Sequence, residues 1–168
     1  MNAEMTYEER GTDLRWMKKL LFAGVFIQEN RLHTIFDRYN EMSSKQWLLM
    51  VICNSFDTPQ DLTTLGAAMG CSRQNVKKLA LQLEKNGYVV LEKSKKDARS
   101  LCVKGTEKGI EFAKKNEALV DKLHETVFKE FTDEEIEKYY QMSIKMMHGI
   151  EYLEEFFKSE EKENEEML

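Results

Sequence analysis

The chain has one proline and three cysteines in 168 residues, and no long apolar run. So little proline and only eight glycines exclude collagen-like and mucin-like chains and leave room for long helices. The best apolar run, Leu20 to Ile27, is bounded by Lys18, Lys19 and Gln28. It falls far short of the roughly 18 apolar residues that a membrane-spanning helix needs. Cys53, Cys71 and Cys102 are odd in number, far apart and in no C-x-x-C arrangement. That pattern excludes a disulfide framework and a zinc knuckle, and it suits a reducing compartment. Met1 to Thr12 carries three glutamates, one arginine and no apolar core, so it resembles neither a signal peptide nor a transit peptide. A soluble, cytoplasmic protein is the expectation. G-x-S-x-G, a phosphate-cradling glycine loop and a Ser/His/Asp set are missing too, so neither catalysis nor a cofactor is expected.

What is present is charge, unevenly placed. The formal net charge is −5, from 25 Lys and Arg against 30 Asp and Glu, which by itself speaks against a nucleic-acid partner. Between Ser72 and Lys104, however, nine Lys and Arg meet three acids, a surplus of six, and the remainder of the chain carries −11. A molecule of this kind offers an anionic polymer one attractive surface and repels it elsewhere.

Apolar periodicity outlines the elements. Leu14, Met17, Leu21, Val25, Leu32, Ile35, Phe36 and Tyr39 recur at steps that fit one amphipathic helix over residues 13 to 39. Ser43 or Ser44 caps a second, from Lys45 to Asn54, which Trp47, Leu48, Leu49, Val51 and Ile52 should seat deep in a core. Thr58-Pro59 signals a helix start, and Leu62, Leu65 and Met69 give a short helix its inward face up to Gly70. Ser72 then caps a helix buried through Val76, Leu79, Ala80 and Leu83, and Gly87 stops it. Two helices separated by Gly70-Cys71-Ser72 have helix-turn-helix spacing. The period changes to two over Tyr88 to Lys93 and Arg99 to Lys104, around the polar turn Ser94 to Ala98, which reads as a hairpin. Thr106 caps a long helix carrying Ile110, Ala113, Val120, Leu123, Val127 and Phe131. Thr132 opens another, with Ile136, Tyr140, Met147, Ile150, Leu153 and Phe157. The tail from Ser159 to Leu168, with five glutamates, should fray.

With Val76, Leu79 and Leu83 turned inward, Gln74, Lys77, Lys78 and Lys85 point outward, and Arg73 and Asn75 lie on the flanks. Amides pair bidentately with adenine, guanidinium groups with guanine, and lysines neutralise phosphate; a helix N-terminus adds its own attraction for phosphate. A solvated helix face is the competing explanation for any basic helix. Here the helix follows a three-residue turn and precedes a hairpin with Lys95, Lys96 and Arg99 at its tip. That order is the winged helix-turn-helix layout, in which helix and wing reach adjacent grooves. Asp97 fits such a tip if its carboxylate orients Arg99.

The stretch LGAAMGCSRQNVKKLALQLEKNGYVV, followed by KDARSLCVKGTEKG, resembles the multiple antibiotic resistance regulator (MarR) family of bacterial transcription factors. The helix-turn-helix, the Leu83-Glu84-x-x-Gly87 exit, Asp97-x-Arg99-Ser100 and Thr106-Glu107-Lys108-Gly109 fall in family order, and the flanking helices extend the match over residues 13 to 157. The resemblance implies a mainly α winged helix-turn-helix fold with a small β-hairpin wing and long terminal dimerisation helices. It implies that Ser72 to Lys78 (Ser72, Arg73, Gln74, Asn75, Lys77 and Lys78) enters the major groove and that Arg99, held by Asp97, reaches the minor groove. Gly66 stands where the family usually has alanine and Gly105 where it usually has leucine, which implies a looser joint between wing and helix.

The corresponding organisation is a flexible segment 1–12, a DNA-binding domain 43–105, a dimerisation region made of 13–42 and 106–158, and an acidic flexible tail 159–168. The long apolar helices outside the central domain need a partner. The last of them is apolar on several faces, as an obligate subunit interface is, and an intramolecular bundle is the alternative. Two-fold symmetry then makes the target a pseudo-palindromic double-stranded operator. The family also implies relief of repression by a small amphipathic or phenolic ligand, for which Trp16, Phe26, Phe36, Trp47 and Phe56 are candidate lining residues; as aromatic residues at helical spacing they are core first. Cys71 is a candidate thiol switch, with packing the commoner role. His33 with Asp37 has i, i+4 spacing but no H-x-x-x-H support, so no metal is expected. The rival reading is a winged-helix protein-interaction module without DNA affinity, supported only by net acidity.

Overall fold

The computed structural model describes residues 13–39, 41–94 and 100–166. In chain order it contains α1 (Leu14–Tyr39), α2 (Ser44–Asn54), β1 (Gln60–Asp61), α3 (Leu62–Met69), α4 (Arg73–Lys85), β2 (Val89–Lys93), β3 (Leu101–Gly105), α5 (Glu107–Val127) and α6 (Asp133–Glu166). The described residues make two compact units that divide between residues 114 and 115, within α5.

The first unit is built on its caps. Asp13 accepts from Arg15 N (2.9 Å) at the start of α1. Ser43 and Gln46 satisfy each other's backbone N–H in a capping box on α2. Asp61 Oδ1 accepts from Thr63 N and Thr64 N (2.8 and 3.0 Å) on α3. Ser72 accepts from Asn75 N (3.3 Å) on α4. α3 ends on Gly70 at φ 62°, a left-handed conformation that costs glycine nothing.

Helix start and proline signal disagree at one point. The turn after Thr58-Pro59 does not enter a helix directly: Gln60 and Asp61 first pair with Val103 and Cys102 as a short edge strand. Proline at 59 sets the chain extended, and Asp61 rather than Thr58 supplies the cap. The antiparallel sheet has the order β1-β3-β2, with Leu91 opposite Val103 at the centre of the hairpin. Because β2 is an outer strand, Leu91 N–H donates to Glu84 Oε1 (2.7 Å) across from α4, so the Leu83-Glu84 exit locks the wing to that helix.

The core gathers Met42, Leu49, Met50, Leu62, Leu65, Val76, Ala80, Leu83, Val89 and Val103. α2 is less immersed than its composition suggests. Leu49 and Met50 are buried, Trp47 and Ile52 half-buried, and Leu48 and Val51 exposed, because only one side of the helix meets α3 and α4.

Gly105 and Gly66 mark tight approaches, contrary to the looser joint their departure from the family pattern implies. A Cβ on Gly105 would lie 2.7 Å from Asn54 Oδ1, and one on Gly66 2.7 Å from Cys71 O in the helix-turn-helix turn. The joint between wing and α5 is pinned further by Thr106. Its Oγ1 lies 2.7 Å from Gly87 O and accepts from Gly109 N (3.1 Å), while Lys108 Nζ donates to Asn86 O (2.6 Å).

In the second unit α5 stops at Val127, and Phe131, expected on that helix, sits in the turn beyond it, its ring 5.7 Å from that of Phe128. Thr132 and Glu135 form a reciprocal cap on α6. α6 runs on to Glu166, through the segment where fraying is expected. Glu and Lys are good helix formers, and Lys158 with Glu154 adds an i, i+4 pair at 3.9 Å.

Candidate nucleic-acid interface

α4 carries the candidate site. Val76, Ala80 and Leu83 are buried and Leu79 half-buried, which fixes the helix's rotation about its axis. The opposite side then presents Ser72, Arg73, Gln74, Asn75, Lys77 and Lys78 to solvent, all exposed, with Lys85 in the last turn. Among the described residues, no carboxylate lies within 4 Å of Arg73, Lys77 or Lys78. No described carboxylate takes up these cations, which leaves them open to an external anion on that side. Arg73 differs from the two lysines in that its charge reaches Asp61. Asp61 is held below the usual carboxylate range chiefly by its backbone hydrogen bond from Thr64, with Arg73 adding to the effect.

The helix is anchored on three sides. Gln82 accepts from Gln46 Nε2 of α2 (3.0 Å), Glu84 holds β2, and the Gly66 approach holds the turn. An exposed face on a clamped helix keeps its geometry when a ligand arrives, which lowers the cost of binding. The helical wheel also shows a residue that the sequence reading passed over: Leu81, 48% exposed on the outward side. Its i−3 and i+4 neighbours, Lys78 and Lys85, signalled that position.

Lys95, Lys96, Asp97 and Arg99, the expected wing tip, lie outside the described residues. The hairpin stems that carry them are in register from Val89–Gly105 to Lys93–Leu101, and Ser94 N–H closes on Ser100 O at 2.9 Å.

The aromatic candidates are dispersed along the first unit. Phe36 and Trp47 meet with ring centroids 5.3 Å apart between α1 and α2. Phe26 packs on Phe22 at 5.4 Å, Trp16 carries Lys19 at 4.7 Å, and Phe56 is exposed beyond the end of α2. His33 and Asp37 do not converge as ligands; both bond to Ser44. His33 Nδ1 bonds Ser44 Oγ, while Asp37 Oδ1 accepts from Ser44 N (2.6 Å) and Oγ (2.8 Å). The two bonds from Ser44 hold the Asp37 carboxyl below its ordinary value. No metal-sized cluster of three ligands occurs among the described residues. Cys53 and Cys71 are half-buried and Cys102 is buried; desolvation pushes the Cys53 thiol up to about 11.

No family model matches the chain, and no curated protein does. Solved structures do. A MarR-family regulator from Streptomyces coelicolor, crystallised in complex with DNA, superposes with a TM-score of 0.70 at 20% identity, over 81% of this chain and 90% of that one. The chain has the MarR fold. A MarR protein from Peptoclostridium difficile matches at 0.70 with 23% identity, over 79% and 88% of the two chains. The PcaV regulator of Streptomyces coelicolor, solved with its natural ligand, matches at 0.62 with 13% identity, over 82% and 94%. Within the MarR fold, α3 and α4 are the helix-turn-helix and β2 and β3 the stems of the wing. No helix among the described residues is long and apolar enough to cross a membrane.

Proposed function

We propose that this protein is a MarR-family transcription regulator that binds double-stranded operator DNA as a homodimer. The carrying observation is the outward face of α4: two amides, one guanidinium and three lysines on a clamped helix, without an ion pair to any described carboxylate. Gln74 and Asn75 present the groups that read adenine, Lys77 and Lys78 neutralise phosphates, and the N-terminus of α4 favours an anion. Arg73 reads or positions from the flank. Arg99, oriented by Asp97, is assigned to the adjacent minor groove. A DNA complex of a protein with the same fold supports the reading.

The homodimer rests on α6. Its side chains from Asp133 to Glu163 are exposed, including Ile136, Tyr140, Met147, Ile150, Leu153 and Phe157. At 34 residues it is roughly 50 Å long, far more apolar surface than a monomer leaves in water. A two-fold pair makes the operator pseudo-palindromic. Repression relieved by a small amphipathic or phenolic ligand is part of the proposal, with the Phe36–Trp47 contact as the place where such a ligand bears on the α1–α2 joint. PcaV's complex with its ligand is the support. The protein works in the cytoplasm, as a binding protein rather than an enzyme.

The test is selection of duplexes from a random pool by the purified chain, followed by fluorescence anisotropy at two salt concentrations. A regulator gives an enriched, palindromic sequence and a steep fall of affinity with salt. Absence of enrichment sinks the proposal.

A further inference from the structure

We infer that Leu81 reads a thymine methyl group, adding an apolar contact to the polar reading head of α4; the inference rests on the DNA-binding reading. Leu81 is 48% exposed and takes no part in the core, whose contribution from α4 is Val76, Ala80, Leu83 and half-buried Leu79. At 100° per residue it falls on the side opposite those residues, in line with Gln74, Lys78 and Lys85. Lys77, Lys78 and Lys85 stand at i−4, i−3 and i+4, so three exposed lysines neighbour one leucine on the helix surface.

An isolated exposed leucine carries no meaning on most surfaces. Here its surroundings restrict what can cover it. An occupant must be anionic around its rim and apolar at one point, at the spacing of a helix groove. The DNA major groove has that make-up: phosphates line its edges, and the thymine C5-methyl is the one apolar group on its floor. Seven residues separate Gln74 from Leu81, a rise of about 10 Å, which matches about three base pairs. The thymine read by Leu81 therefore lies about three base pairs from the base read by Gln74, away from the N-terminus of α4. Burying one methyl is worth about a fourfold change in affinity.

The experiment replaces each thymine of the selected duplex, one at a time, by deoxyuridine, which lacks the methyl and keeps every hydrogen-bonding group. The full-length protein should lose about fourfold in affinity at one position per half-site and little elsewhere. Leu81→Ala should bind the thymine and deoxyuridine duplexes equally at that position, and Leu81→Gln, of similar size, should do the same. Unchanged thermal midpoints show that these surface variants fold. An indifferent parent overturns the inference, as does a Leu81→Ala protein that keeps the parent's discrimination; operator binding as such survives both results. A chain that enriches no duplex at all removes the DNA reading and the thymine contact together.

Discussion

At the scale of single residues, accessible charge and tight backbone approaches make the sharpest demands. Lys77 and Lys78 are exposed cations with no described carboxylate within 4 Å, so Lys77→Ala and Lys78→Ala should each weaken binding evenly across operator variants. Each should also lower the slope of log affinity against log salt by about one, read by anisotropy titration. Gly109 makes a different demand. A Cβ there would overlap Tyr88 O, a backbone atom that cannot swing aside. Gly109→Ala should cost about 1–3 kcal/mol in urea denaturation, the usual penalty of overpacking. The thiols separate by environment. Cys53, half-buried and with its thiol pushed up to about 11 by desolvation, stays protonated near neutral pH and should be alkylated slowly. Labelling of Cys53 at about pH 7.5 as fast as that of a free thiol peptide would contradict that desolvation.

At the scale of elements, caps decide where helices begin. Asp61→Ala should destabilise the first unit by about 1 kcal/mol, since it strips acceptors from two backbone N–H groups of α3. Asp37 and Asp61 both titrate below their ordinary 3.8 in the folded chain, mainly through the hydrogen bonds from Ser44 and Thr64. A depressed folded value means that the stability is complete above the unfolded carboxylate value and lost as pH falls through the folded one. Urea midpoints should therefore decline below about pH 4. Asp61→Asn should flatten part of that decline, and an unaltered profile would refute the link. The capping serines were legible from spacing alone, because a cap is a local bond between residues two or three apart. β1 was not: Gln60 and Asp61 pair with Cys102 and Val103, some forty residues away, and no local pattern marks a two-residue strand. The reach of α6 to Glu166 was missed for a related reason, since a glutamate-rich stretch reads as a solvated tail until the helix it continues is known to be long.

For the whole molecule, the issue is what covers the apolar helices. If α6 forms the subunit contact, Ile150→Glu or Phe157→Glu should yield a monomer by light scattering. Operator affinity should fall at least tenfold, because two linked half-sites no longer bind together. A variant that stays dimeric shows that the contact lies elsewhere. The fold itself is the MarR fold, and its basic segment is mounted on the first unit while most of the acid lies outside that segment.

Periodicity, caps and turn residues along the chain were enough for the order of the helices, the helix-turn-helix and the hairpin, because each depends on neighbours within about one helical turn or one strand pair. The amide and lysine face of α4 followed from the same arithmetic. Other features needed distant segments to be brought together: Glu84 closing the edge of β2, Gln46 holding Gln82, and Gly105 pressed against Asn54. Leu81 stands between the two cases. Its angle on the helix can be computed from the chain, but its exposure among lysines is a fact of packing, since an apolar side chain is core or surface only once the rest of the molecule has taken its place.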